Sequence, residues 1–220
     1  MIAVGLCYYN DLESLKRGVP TYADNVDYIF AIDGRFSLYD GPDYSTPETI
    51  EYLKSFPNVI YDQFIGMEHK KRQRYVELCK KYNIDYLLII DSDEYILPDA
   101  DWKTFKENAE KVNLEHPNDN FFGIDFRYSQ ESIKPELFSP FPRLWIRPQE
   151  CEYYKTHCFF KNRSGVVRSS SYAPKVEGIR MGLGDELRTP EYLNAISKYQ
   201  GKMLDYEIPL RHELRGQKVY

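Results

Sequence analysis

Three features of this sequence predict an α/β fold with a parallel first half. Strand-like apolar runs alternate with helix-like segments as far as residue 91, the pattern that builds helix-covered parallel sheets. One run, Tyr86-Leu87-Leu88-Ile89-Ile90, is apolar without interruption, as a strand buried on both faces is. From residue 120 strand patterns follow one another with no helix between them, so the second half is expected to be mixed or antiparallel. At 220 residues the chain suits a single domain spanning 1–220, with halves at 1–98 and 99–220.

Residues 2–8 read as the first strand. A short helix over 12–18 follows, capped by Asp11 and interrupted by Pro20. Residues 26–32 form a second strand ending at Asp33-Gly34. Thr46-Pro47-Glu48 combines a capping threonine, a proline at the first helical position and an acid in the first turn, which predicts a helix to residue 55. The third strand is 58–64. Over 67–82, Tyr75, Leu78, Cys79 and Tyr82 recur at helical spacing as a buried stripe. The run at 86–90 is the fourth strand. Beyond Pro98, residues 100–114 read as a helix with Trp102, Phe105, Ala109 and Val112 inward. Strands are expected at 121–128, 143–147 and 153–160. Loops are expected at Ser164-Gly165 and Ser169-Ser170-Ser171, and a last helix at 191–204 behind Thr189-Pro190-Glu191.

Composition narrows the function. A net charge of −5 argues against a general nucleic-acid binder. No apolar run approaches the about 20 residues of a membrane span. The start, Met1-Ile2-Ala3-Val4-Gly5-Leu6-Cys7, lacks the basic region of a secretion signal. Cys7, Cys79, Cys151 and Cys158 show no C-x-x-C spacing and read as reduced, buried thiols of a cytoplasmic protein. Neither G-x-G-x-x-G after the first strand nor G-x-x-x-x-G-K-[ST] occurs, against dinucleotide oxidoreductases and P-loop enzymes. The 20 tyrosines and 12 phenylalanines offer faces for bases and sugar rings besides ordinary packing.

The chemistry concentrates where the fourth strand ends, at Asp91-Ser92-Asp93-Glu94. Open α/β sheets place ligands at the C-terminal ends of their strands. Three neighbouring carboxylates repel one another, and a divalent cation is the simplest compensation. Asp91 and Asp93 supply the hard oxygens that Mg²⁺ or Mn²⁺ prefers; the competing reading is a solvated acidic loop. Asp33 ends the second strand, where an acid accepts hydrogen bonds from a base or ribose or simply makes an Asp-Gly turn. His69, Lys70, Lys71, Arg72 and Arg74 crowd the start of the third helix. Arg74 is the residue chosen to meet a phosphorylated ligand, the others reading mostly as a solvated face. His157 and His212 are borderline ligands that would favour Mn²⁺ beside an acidic pair, His212 being the third-ligand candidate.

With these residues in view, the chain resembles the nucleotide-sugar glycosyltransferases of GT-A fold, and is most similar to family 2-like members with a D-x-D-E motif. The likeness runs through Ile2-Ala3-Val4, Lys71-Arg72-Gln73-Arg74, Asp91-Ser92-Asp93-Glu94, Pro142-Arg143-Leu144-Trp145-Ile146-Arg147-Pro148, His157 and His212. It implies a Rossmann-like three-layer sandwich, with 1–98 as nucleotide-binding half and 99–220 as acceptor half. It implies transfer of a sugar from a nucleoside-diphosphate donor to an acceptor hydroxyl with inversion. The acceptor would be a glycan, a lipid-linked species or a protein, which leaves room for peripheral membrane association. Asp33 and Asp91 would contact the donor nucleoside. Asp93 would hold Mn²⁺ or Mg²⁺ on the diphosphate, with His212 completing the coordination. Many relatives carry Glu after the histidine matched by His157, where this chain has Cys158. The general base therefore falls to Asp185, Glu186 or Glu94.

Two other readings compete. A haloacid-dehalogenase-like phosphatase also places D-x-D after an apolar strand. That family has Thr or Val where this chain has Tyr95, and its nucleophile strand usually comes first. A non-catalytic nucleotide-sugar or carbohydrate-binding module on a GT-A shell is compatible with Cys158.

Overall fold

The computed structural model describes residues 1–127, 139–154, 159–162, 165–168 and 174–183. In chain order its main elements are β1 (Ile2–Cys7), α1 (Leu12–Gly18), β2 (Tyr28–Asp33), α2 (Pro47–Lys54), β3 (Val59–Gln63), α3 (Glu68–Tyr82), β4 (Tyr86–Asp91), β5 (Glu94–Ile96) and α4 (Trp102–Glu115), followed by β6 (Phe121–Arg127), β7 (Ser139–Ile146), β8 (Glu152–Tyr153), β9 (Phe159–Asn162), β10 (Gly165–Arg168) and β11 (Lys175–Leu183). Among the described residues, eight strands form one sheet in the order β3-β2-β1-β4-β7-β6-β11-β5, and β10-β9-β8 form a smaller one.

The first four strands of the large sheet are parallel. β7 then runs antiparallel to β4 and β6, β11 parallel to β6, and β5 antiparallel to β11. This is the expected α/β architecture: a parallel, Rossmann-like first half and a mixed second half, as in a GT-A fold. Alternation along β1 separates two cores. Val4 and Leu6 pack with Leu15 of α1, Leu53 of α2, and Phe105 and Ala109 of α4. Ala3 and Cys7 face Tyr75, Val76 and Cys79 of α3, a core that Trp145, Tyr153 and Phe160 extend. Helices thus cover both faces of the sheet, giving three layers. Gly5 lets α3 approach closely: a Cβ there would lie 2.8 Å from Tyr75 Cγ.

The local signals act much as chemistry dictates. Thr46 caps α2 by accepting from the Thr49 N–H, with Pro47 at the first helical position. Asp11 precedes α1 but makes no side-chain cap; its carboxylate instead accepts from Ser92 Oγ at 2.7 Å. The chain past Gly18 tightens into a 3-10 turn containing Pro20 rather than stopping. The strand expected over 153–160 divides into β8 and β9. β11 was not expected from the sequence. Its Val176, Ile179 and Met181 are buried, but Gly178 at φ +118 breaks their period, and its carbonyl accepts from the Asp101 N–H at 2.7 Å. The helix expected at 191–204 lies outside the described residues. No helix among those described is long and apolar enough to cross a membrane.

One consequence of this topology shapes the site. β4 and β5 are separated by only Ser92 and Asp93, yet β7, β6 and β11 lie between them in the sheet. In a flat sheet four strand spacings would part them by about 19 Å. The three Cα steps from Asp91 to Glu94 reach only about 11 Å. The sheet therefore curls, returning its far edge to the end of β4.

Candidate functional site

The order β3-β2-β1-β4 reverses direction between β1 and β4, the switch point at which parallel α/β sheets open a crevice. Asp91 ends β4 at this point, in register with Cys7 of β1. Leu87, Ile89 and Asp91 project toward α3 by strand alternation. Helical spacing puts Glu68, Arg72 and Tyr75 of α3 on one face, and Arg143 shares with Trp145 the same side of β7. α3, β4 and β7, with Glu94 at the start of β5, thereby deliver a network of charges to one place.

Arg72 lies at its centre. Its guanidinium is 2.7 Å from Asp91 Oδ1 and 2.8 Å from Glu68 Oε1, and it donates to the Tyr75 hydroxyl at 3.3 Å. Tyr75 in turn meets the Tyr153 hydroxyl at 3.1 Å. Arg143 reaches Asp91 Oδ2 with both terminal nitrogens, each at 3.4 Å, and donates closely to Glu94. The other Glu94 oxygen accepts from the Asp91 N–H at 2.8 Å. Burial works to raise the Asp91 carboxyl, but Arg72 and then Arg143 outweigh it and hold it at about 2. Glu94 moves the opposite way. Burial pushes it up to about 8; Arg143 opposes the shift, and the charges of Asp91 and Asp93 add to it.

The acidic cluster therefore has its compensation built in. Two arginines stand where the repulsion argument asked for a cation, so repulsion alone no longer demands a metal. Asp91 in particular sits between two guanidinium groups, which disfavour a further positive ion against it. Asp93, half-buried in the β4–β5 turn, offers a hard carboxylate oxygen suited to Mg²⁺ or Mn²⁺. Among the described residues no group of three His, Cys, Asp or Glu is placed to hold a metal. The expected partner His212 lies outside the described residues, as do His157, Asp185 and Glu186.

Asp33, expected to meet the donor, is fully buried. Its carboxylate accepts from Ser45 Oγ at 2.6 Å, from the Ser45 N–H at 3.3 Å and from the Tyr61 hydroxyl at 3.0 Å. It pins the far end of loop 34–45 to the end of β2. The loop is braced further by Arg35, whose N–H donates to the Asp43 carbonyl and whose guanidinium pairs with Asp43. Arg74, the chosen phosphate contact, is paired at 2.9 Å with Asp62 of β3 and also with Glu77. The structure brings Arg72 to the carboxylates and leaves Arg74 with these partners. Lys71 and Arg72, read from sequence as mostly solvated, are both buried.

The signal for Arg72 was present in its spacing: it stands three residues before Tyr75 and so opens the apolar stripe. Arg143 was visible as a lone charge on the Trp145 face of an apolar strand. Lys71, four residues before Tyr75, carries the same spacing signal, but its partners are two backbone carbonyls and leave no mark in the sequence.

No protein-family model matches this chain, and no curated protein sequence matches it. Among solved structures, S. aureus TarS 1-349 aligns with a TM-score of 0.43 at 18% identity, over 61% of this chain and 38% of that one. TarS 1-349 in complex with UDP-GlcNAc gives 0.44 at 17%, over 61% and 37%. The same fragment with UDP gives 0.42 at 18%, over 61% and 38%. The chain thus spans well under half the length of these structures, and at that likeness no residue role transfers by position.

Proposed function

We propose that this chain binds a nucleoside-diphosphate sugar at the C-terminal edge of β1, β2 and β4 and transfers its sugar to an acceptor hydroxyl, with inversion. The observation that carries this reading is Asp91, ionised and partly open to solvent at the switch point of the sheet, with Asp93 beside it. An aspartate held charged and rigid by two arginines is prepared to accept hydrogen bonds from ribose hydroxyls, since it does not reorganise on binding. Loop 34–45 and residues 8–10 wall the same edge and supply backbone and aromatic surface for the base.

In this reading Asp93 and His212 are the residues that would hold Mn²⁺ or Mg²⁺. The ion would supply Lewis-acid neutralisation of the departing diphosphate. Arg72 and Arg143 position Asp91. Glu94 is spoken for by Arg143 and the Asp91 N–H and is closed to solvent, so it supports the turn rather than deprotonating an acceptor. The base role passes to Asp185 or Glu186. The acceptor is a hydroxyl of a glycan, a lipid-linked species or a protein.

The test is titration with UDP, GDP, CDP and ADP, with and without Mn²⁺, followed by hydrolysis of the matching sugar nucleotides. Micromolar binding of one diphosphate with slow donor hydrolysis is expected. Binding without any turnover would convert the reading to a non-catalytic module, and no binding of any diphosphate would overturn it.

A further inference from the structure

Lys71 is a fully buried ammonium for which the chemistry above has no use. Its Nζ donates to the Tyr8 carbonyl and to the Gly34 carbonyl, each at 2.5 Å, and lies 4.3 Å from the centroid of the Phe36 ring. Tyr8 is the first residue past β1, and Gly34 the first past β2. The ladder between these strands fades at this point, its last bond from the Tyr8 N–H to the Ile32 carbonyl being stretched to 3.4 Å. One side chain from α3 therefore joins the exits of two adjacent parallel strands where the backbone can no longer join itself.

A charge in this place is costly. Burial lowers the ammonium's pKa, and an apolar side chain of the same length would fill the space without desolvating an ion. What the ammonium adds is direction: charge-assisted bonds are short and fix both carbonyls relative to each other. The segments so fixed are also braced together further out. The Asn10 N–H donates to Ser45 Oγ at 2.8 Å, the Thr46 N–H to Asn10 Oδ1 at 2.8 Å, and the Tyr9 hydroxyl to the Pro42 carbonyl at 2.5 Å. At the root of loop 34–45, Gly34 at φ +121 has no room for a Cβ, which would lie 2.6 Å from the Phe64 carbonyl oxygen.

We propose that Lys71 is a positioning residue for ligand recognition: by fixing the Tyr8 and Gly34 carbonyls it holds segments 8–10 and 34–45 in the shape that receives the base and ribose, without touching the ligand. The proposal rests on the donor site described above, and it names the residue that shapes the nucleoside end of that site. Lys71 acts through backbone geometry, so its effect is indifferent to ligand charge.

The experiment compares wild type with Lys71→Met, which keeps the length and removes the charge. Relief of desolvation and loss of two carbonyl partners oppose each other, so the variant is expected to fold. Should it not, Lys71→Gln, whose amide can donate to one carbonyl, carries the same comparison. Titrations use UDP, UMP and uridine, and GDP, GMP and guanosine. The expected result is at least a tenfold weakening, equal for nucleoside, monophosphate and diphosphate. Amide exchange should quicken in 8–11 and 34–46 while the centres of β1 and β2 stay protected. A loss that grows with ligand charge would show that Lys71 acts by its field and overturn the positioning role. Unchanged exchange in both segments would overturn it without reference to any ligand. Wild type binding none of the six probes, and neither CDP nor ADP, would instead sink the donor reading.

Discussion

The Arg72 guanidinium lies 2.7 Å from Asp91 Oδ1, tying the second turn of α3 to the end of β4. Both side chains are largely withdrawn from solvent, at 11% and 28% exposure. Removing one partner of a withdrawn pair costs about 3–5 kcal/mol where the other is left alone, and here Arg143 still reaches Asp91 and softens the loss. Arg72→Met removes the contact to Glu68 as well as the one to Asp91, so it is expected to cost about 3 kcal/mol in urea denaturation. Asp91→Asn should cost less, because Arg72 keeps Glu68. The double variant should recover at least about 1 kcal/mol relative to the sum of the two. Additivity of the two changes would mean the pair does not form in solution.

The pH dependence of stability should report Glu94. Its folded carboxyl titrates near 8, against about 4.3 in an unfolded chain, so the folded state holds this proton more tightly. That contribution is complete below about pH 4 and is lost as pH rises toward about 8. Asp91 has the opposite sign: depressed to about 2, it stabilises above about pH 4, and this is lost as pH falls through about 2. The urea midpoint of the wild type should thus decline between about pH 5 and pH 8, and Glu94→Gln should flatten the decline. Parallel curves for the two proteins would refute the assignment to Glu94.

How far the sequence leads differs between fold and site for a physical reason. β1 to β4, α2 and α3 follow from local signals: unbroken apolar runs, the Thr46-Pro47 start and the stripe at Tyr75, Leu78 and Cys79. β11 escaped because Gly178 interrupts its alternation, and β5 because three residues carry no period of their own. At the site, the acids at 91–94 were legible as a cluster of charge, but not their compensation. Whether a cation or an arginine offsets them depends on the sheet's curl and on which face of β7 carries Arg143. Both are set by contacts distant in sequence. Asp33 is the sharpest case, since the same Asp-Gly that suggested a ligand contact anchors Ser45 and Tyr61 instead.

Asp93→Ala separates the turn's chemistry from its architecture. The ends of β4 and β5 are joined through Asp91 and Glu94 by Arg72, Arg143 and the Asp91 N–H, so the variant should keep its fold. The Mn²⁺-dependent part of nucleoside-diphosphate affinity should disappear, measured by calorimetry with and without the ion. Equal affinity for the diphosphate in Mn²⁺ for both proteins would remove Asp93 from the metal role.

Gly18→Ala tests how tightly the site leans on α1. Gly18 has ordinary helical angles, so exchange to alanine would by propensity stabilise the helix by about 1 kcal/mol. The added Cβ, however, would lie 2.6 Å from the Glu94 carbonyl oxygen. That atom is backbone and cannot swing aside, and overpacking of this kind costs about 1–3 kcal/mol. The clash should win, with a net loss of about 1 kcal/mol in thermal or urea unfolding. Relief requires the start of β5 to move, which drags Glu94 away from Arg143 and the Asp91 N–H. Nucleoside-diphosphate affinity should therefore fall in fully folded protein, at temperatures well below the melting transition. A gain in stability with unchanged affinity would show that the end of α1 does not bear on the β4–β5 turn.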